Sequence, residues 1–280
     1  MTFEELWFEV KDSTVLNRHK VRNLYRLLEK TLASGLDGDV GECGVFKGGV
    51  SMMLAKLVQK MAPSKKVFMW DSFEGLPRPD ESRDLSIYRE GILKASLMDV
   101  SNLLRRHDVL DWACLSPGWF EESFERLKPD QKFSFLHIDC DLYDSTMTCL
   151  NNLYHRLVPG GIMVFDDYFD VSGGERLAVD EFLLEHGDEQ LFAGPVEQVF
   201  FIKDRKMVPG ESVLWTDRRS ISLEYLASDF EYLRDLSKGN IMNELPGGSL
   251  KNAARIAAQT LKVEHYHKRV AHQLWWEPTT

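Results

Sequence analysis

Three apolar runs of this chain end in aspartate, and the stretches between them have the spacing of helices. Lys66-Val-Phe-Met-Trp-Asp71, Phe133-Ser-Phe-Leu-His-Ile-Asp139 and Gly161-Ile-Met-Val-Phe-Asp166 are short and rich in branched and aromatic residues, as buried strands are. An earlier run, Gly38-Asp-Val-Gly-Glu-Cys43, leads into glycines. After it, Met53, Leu54, Leu57, Val58 and Met61 mark one face of a helix over Val50 to Met61. Strands alternating with helices imply βαβ crossovers and an α/β fold with a mostly parallel sheet. Trp112–Leu115 and Val196–Ile202 read as further strands, Leu85–Leu110 as mostly helical, and Glu175–His186 as a helix. Ligands of such sheets lie beyond the carboxyl ends of the strands, where the acids of this chain sit.

Two segments lie outside that alternation. Residues 1–36 carry Val21, Leu24, Tyr25, Leu27, Leu28 and Leu32 at helical spacing and read as a helical cap, with Ser13 or Thr14 as its N-cap. Residues 37–204 form the core. Residues 205–280 read as a helical extension ending in His272-Gln-Leu-Trp-Trp276, whose tryptophans are expected to pack on the core, a partner subunit or a substrate. Apolar faces outside the core need cover, which points to a homo-oligomer.

With 34 Lys and Arg against 44 Asp and Glu among 280 residues, the net charge of −10 argues against nucleic acid as a partner. The N-terminus is acidic and charge-broken, unlike a secretory leader, and no run reaches the roughly 18 uncharged apolar residues of a membrane span. The four cysteines have no metal-ligand spacing and read as reduced core thiols of a cytoplasmic protein.

Three motifs carry chemistry. Gly41-Glu-Cys-Gly-Val-Phe-Lys-Gly-Gly49 follows a strand and opens a helix, so its glycines let the backbone approach a ligand, or simply make a tight turn. Its spacing is not G-x-G-x-x-G, which disfavours a dinucleotide and with it a nucleotide-dependent oxidoreductase. Asp71-Ser-Phe-Glu-Gly75, about one βαβ unit later, places an acid to accept ribose hydroxyls or to cap its own turn. His137-Ile-Asp-Cys-Asp141 and Asp166-Asp-Tyr168 bring Asp139, Asp166 and Asp167 to neighbouring strand ends. Crowded carboxylates need a cation or a shared proton, and three oxygen donors suit Mg²⁺ better than Zn²⁺. Helix capping is the alternative for that acid pair. Asp141 can stay free of the metal and act as a base. His137 lies inside an apolar strand, as a core residue or a cofactor-side contact. The acidic run Asp80–Asp84 reads as a solvated loop and a possible lid, and the tail's His265 and His267 diverge too far on a helix to share a metal.

Taken together, G-E-C-G-V-F-K-G-G, D-S-F-E-G-L-P, H-I-D-C-D-L-Y-D-S-T, L-V-P-G-G and D-D-Y resemble the macrocin O-methyltransferase family over about residues 10–204. The resemblance implies a class I methyltransferase fold, Rossmann-like with a seven-stranded sheet, and two cofactors, S-adenosyl-L-methionine and Mg²⁺. It implies that Gly41, Glu42, Cys43, Gly44 and Val45 meet the methionine part of the cofactor. Asp71, Ser72, Phe73, Glu74 and Gly75 would meet its ribose and Trp119 its adenine. His137 and Asp139 would lie on the cofactor side, and Thr14 would be an N-terminal contact. Asp139, Asp166 and Asp167 become metal ligands and Asp141 the general base. The family commonly has Trp-Arg where this chain has Phe46-Lys47, and Gly where it has Cys140. The tail after about 205 has no counterpart. The implied acceptor is a hydroxyl of a small-molecule natural product, a sugar or a phenol. A catechol-type enzyme acting on an aromatic diol, and a non-catalytic module that keeps the fold, are the alternatives.

Overall fold

The structure is a computed structural model that describes residues 2–84, 88–170, 173–186, 189 and 191–205. All lie within one compact unit. Helices α1 (Phe3–Val10) and α2 (Arg18–Ala33) precede strand β1 (Asp39–Cys43), helix α3 (Gly49–Met61) and strand β2 (Val67–Asp71). Then follow α4 (Leu97–Arg106), a 3₁₀ turn at Leu110–Trp112, β3 (Ala113–Pro117), α5 (Phe120–Glu125), β4 (Phe133–Ile138) and α6 (Tyr143–Leu153). The chain ends its described part with β5 (Leu157–Phe165), α7 (Gly174–His186), β6 (Phe192–Ala193) and β7 (Val199–Ile202).

The seven strands run in the order β3-β2-β1-β4-β5-β7-β6. The first five are parallel neighbours, and β7 is antiparallel to both β5 and β6. The chain thus winds outward from β1 to β3, returns to β4 and winds out the other way. The reversal lies between β1 and β4, and a doubly wound sheet opens its ligand crevice there. All six residues of β4 are buried, which explains its near-continuous apolar run.

Side chains alternate across the sheet. On one face Cys43, Trp70, Leu136, Ile138, Met163, Phe165 and Phe201 form an apolar core with residues of α5, α6 and α7. On the other face the alternate residues Glu42, His137 and Asp166 bond one another and reach Ser51 of α3 and Lys20 of α2. That second face is where the acids collect.

Several sequence expectations change. Helix α2 is capped by Asn17, whose side chain accepts from the amides of His19 (2.9 Å) and Lys20 (3.1 Å), and not by Ser13 or Thr14. Those two are occupied elsewhere. The Ser13 carbonyl accepts from Gly49 N and Thr14 Oγ1 from Leu16 N, which bends the chain onto the glycine turn. Between Leu85 and Leu110 only Leu97–Arg106 is α-helical among the described residues, because Ser96 caps a new start there. The last strand begins at Val199, since Val196 has positive φ and Gln198 N closes a turn on Pro195 O. Strand β5 starts at Leu157, earlier than expected, with Pro159 and Gly160 in a register shift against β4. Asp84 is buried and accepts from Tyr143 N (2.9 Å), so the run Asp80–Asp84 is not wholly solvated. The expected helices and paired tryptophans of the tail lie outside the described residues. No described helix is long and apolar enough to cross a membrane.

Gly44, with φ +90°, is required by close approach: a Cβ there would stand 1.8 Å from the Asp139 carbonyl oxygen. Gly44→Ala is expected to cost about 3 kcal/mol of folding stability, read as a lowered urea midpoint at unchanged slope.

Candidate active site

Strands β2, β1, β4 and β5 are parallel neighbours, so their carboxyl ends lie along one edge of the sheet. Backbone bonds continue the ladder past the strands: Gly44 N donates to Trp70 O, Asp139 N to Cys43 O and Asp166 N to Ile138 O. These bonds fix the first residues of three loops against the neighbouring strands before any side chain acts.

Asp71 organises the glycine turn. One carboxylate oxygen accepts from the amides of Val45 (2.8 Å) and Phe46 (2.9 Å), and the other from Phe73 N (2.7 Å). Phe46 and Phe73 both have positive φ, a conformation that these bonds help to hold. Ser72 Oγ donates to Gly75 O and accepts from Glu74 N, closing the second turn. Gly75 also has positive φ, and a Cβ on it would meet Ile92 O at 2.5 Å. Glu74 is exposed and paired with Lys94. Trp119, 39% exposed, starts α5 just after Gly118, whose N–H donates to Asp71 O. Thr14 arrives beside this turn through the Ser13–Gly49 bond.

The other glycine-motif residues are placed differently. A Cβ on Gly41 would stand 2.6 Å from a Leu136 methyl and 2.8 Å from the Trp70 ring, so this glycine makes room in the core. The Cys43 side chain is buried in the same core. Glu42 is buried on the opposite face, where it accepts from Ser51 Oγ and from His137 Nδ1 (3.2 Å).

His137 links Glu42 to the acid cluster, because its Nε2 lies 3.3 Å from Asp166 Oδ1. Burial alone would lower its pKa, but its bonds to Asp166 and Glu42 push it up to about 10. As an imidazolium it donates from both nitrogens and has no lone pair for a metal. Asp166 also accepts from Gln198 Nε2 (2.6 Å) and from the ammonium of Lys20 (2.7 Å). Burial opposes its charge, yet Lys20 and His137 hold its carboxyl well below the usual range. Lys20 bonds Asp167 as well (3.1 Å), and it pairs with Glu197 (2.9 Å). Burial disfavours the ammonium, but these three carboxylates keep its pKa well above the ordinary lysine value.

Two cations do not neutralise this crowd. Asp139 is raised well above the carboxylate range by burial and by the charges of Asp166 and Asp167. Asp167 is raised by burial and by Asp166, against the pull of Lys20. Behind it, Glu175 accepts from Asp167 N (2.7 Å) while its other oxygen has no partner among the described residues, and burial raises its pKa too. The closest ligating atoms of His137, Asp139 and Asp166 lie within 4.8 Å of one another. Both ring nitrogens of His137 are engaged, by Glu42 and by Asp166, so the donors left for a metal are carboxylate oxygens. Asp139 and Asp166 therefore fit a hard divalent cation by donor type and by unbalanced charge, while Asp167, expected as a third ligand, lies outside that close group and is tied to Asp166 through Lys20.

Asp141 follows two residues on, 8% exposed, in the left-handed conformation at φ +61°. Asp tolerates that region better than most residues. Burial raises its pKa to about 6, opposed by a hydrogen bond from Tyr88. Sequence reasoning missed Lys20, Tyr88, Glu175, Glu197 and Gln198. Lys20 alone left a signal: it precedes Leu24 and Leu27 on the apolar stripe of α2, where a cation is out of place.

Residues 9–200, more than half of the chain, match the family described as macrocin-O-methyltransferase (TylF). The chain belongs to the macrocin O-methyltransferase family. It is 32% identical over 163 residues to the 8-demethyl-8-(2,3-dimethoxy-alpha-L-rhamnosyl)-tetracenomycin-C 4′-O-methyltransferase of Streptomyces olivaceus, a match covering 55% of this chain and 62% of that protein. It is also 32% identical over 184 residues to the mycinamicin III 3″-O-methyltransferase of Micromonospora griseorubida, covering 62% of this chain and 71% of the relative. The matches therefore span about two thirds of those relatives' lengths. The solved O-methyltransferase NovP superposes with a TM-score of 0.63 at 26% identity, over 69% of this chain and 83% of that one. Its likeness and the strand order agree with the class I methyltransferase fold that the resemblance implies.

Asp71→Asn would remove the charge from three backbone bonds. We expect a loss of about 1–3 kcal/mol in chemical denaturation, together with weaker binding of S-adenosylhomocysteine in calorimetry.

Proposed function

We propose that this chain is an S-adenosylmethionine- and Mg²⁺-dependent O-methyltransferase whose acceptor is a hydroxyl on a sugar moiety of a small-molecule natural product. One observation carries the reading. The glycine turn braced by Asp71 and the close carboxylates Asp139 and Asp166, with Asp167 beside them on Lys20, stand side by side at the carboxyl ends of the parallel strands, in a chain of the macrocin O-methyltransferase family. The sugar follows the relative named for a rhamnosyl substrate.

When bound, the cofactor supplies an electrophilic methyl group and the cation lowers the pKa of acceptor oxygens. The chain's residues do the rest. The loops after β1 and β2, with Thr14 and Trp119 at their rim, would hold the cofactor. Asp139, Asp166 and Asp167 would hold the cation on the β4 and β5 side. Asp141 would accept the proton of the acceptor hydroxyl, and its raised pKa keeps it basic enough to do so while still ionised above about pH 6. Tyr88 fixes its carboxylate. The crevice contributes mainly by orienting oxygen, carbon and sulfur in line. The exposed Phe8 and Val15 of the N-terminal segment are read as part of a contact between copies of the chain.

Asp141→Asn keeps the shape and the left-handed conformation but removes the base. It should lower kcat by at least about 100-fold while S-adenosylhomocysteine affinity stays within about threefold. Near-normal turnover by this variant would refute the assignment of Asp141. Absence of any calorimetric binding of S-adenosylhomocysteine to the native chain would refute the cofactor, and methylation of phenolic diols but not sugars would move the acceptor to the aromatic class.

A further inference from the structure

Helix α2 drives a side-chain cation into the acid cluster. Lys20 is 5% exposed, and its ammonium lies 2.7 Å from Asp166, 3.1 Å from Asp167 and 2.9 Å from Glu197. Two of the three carboxylates assigned above to a divalent cation are thus already shared with a lysine. An ammonium and a metal ion seek the same lone pairs, and two positive charges a few ångströms apart in a dry site repel strongly.

The third partner differs from the other two. Glu197 sits on the turn before β7, and its side chain is 36% exposed, against 1% for Asp166 and 12% for Asp167. It gives Lys20 a counter-charge at the edge of the cluster, away from β4. The lysine cannot leave altogether, because Val21, Leu24 and Leu27 around it are fully buried and fix α2 in place. The ammonium touches all three carboxylates at once, so a small displacement toward Glu197 would loosen its hold on the aspartates without costing it every counter-charge.

We propose that Lys20 is a tethered counter-ion that sets the divalent-metal affinity of the Asp139, Asp166 and Asp167 cluster. It holds Asp166 and Asp167 together without metal and shifts toward Glu197 when metal binds. The proposal rests on the metal reading given under Proposed function. Lys20 is a positioning residue, acting through the aspartates and not on the acceptor. It makes two opposite predictions. Removing the ammonium leaves uncompensated buried charge that a metal then satisfies, so binding tightens. Removing the Glu197 charge leaves Lys20 only the aspartates, so binding weakens.

The test is a Mn²⁺ titration of the full chain, followed by the electron paramagnetic resonance signal of the free ion, with melting temperature recorded with and without Mg²⁺. Lys20→Met should bind Mn²⁺ at least about tenfold more tightly than the native chain. Its melting temperature should rise with Mg²⁺ far more than the native chain's, since a ligand that binds only the folded state stabilises it. Glu197→Gln should bind Mn²⁺ several-fold more weakly. A purely structural lysine would lower stability equally with and without metal and leave Mn²⁺ affinity alone. Equal Mn²⁺ affinity in all three proteins overturns the counter-ion role and leaves the metal reading intact. No Mn²⁺ binding by any of them overturns both. Should Lys20→Met fold only in Mg²⁺, the proposal stands. Should it fold in neither condition, Glu197→Gln decides, and unchanged or tighter binding by that variant overturns it.

Discussion

The site depends on how an excess of buried negative charge is held at the ends of β4 and β5. Asp139, Asp166 and Asp167 meet there because parallel pairing in register brings those strand ends level. Coulomb repulsion among carboxylates removed from water would push the loops apart. Lys20 and the imidazolium of His137 counter it from α2 and from β4 itself. Their balance is incomplete, as the raised pKa values of Asp139 and Asp167 show. That residual deficit is the physical basis for assigning a cation to the cluster, and it is stronger support than the presence of the aspartates alone.

The loops after β1 and β2 rest on a different interaction. Asp71 spends its lone pairs on three backbone amides, so the loops after β1 and β2 are shaped by one carboxylate. The glycines around it divide by role. Gly44 and Gly75 adopt backbone shapes that side chains would not allow, whereas Gly41 serves the packing of Trp70 beneath the crevice. A glycine-rich motif is therefore not uniformly a ligand surface. In this chain part of it is core.

Much of this arrangement was legible in the sequence. Strand runs ending in aspartate are readable because buried parallel strands are largely apolar and stop abruptly at the sheet's edge, and β2, β4 and the end of β5 obey that rule. The final strands do not. Nothing in Val196–Ile202 reveals that β7 runs antiparallel, since direction is set by how the chain returns and not by composition. The Asn17 cap was hidden because Ser13 and Thr14 are equally good caps by type, and only the docking of Ser13 on Gly49 decides among them. Asp84 looked solvated because its partner, the amide of Tyr143, is a backbone group far along the chain. His137 and Asp141 were singled out by position, but the bonds that set their protonation come from Glu42, Asp166 and Tyr88, which pairing and loop closure bring together.

The reach of Lys20 has a consequence for assembly of the molecule. Its bond to Asp166 joins residues 146 positions apart. As the chain is synthesised, α2 emerges long before β5 exists, so its lysine must wait in water while the inner strands form. Helix α2 also packs on α3, close by in the chain, so it has an early partner there while its bonds to the aspartates wait for β5. Until then the aspartates must remain hydrated or protonated. The Lys20 bonds are therefore among the last to form, and a chain in which they have not formed is one whose acid cluster is still open to water.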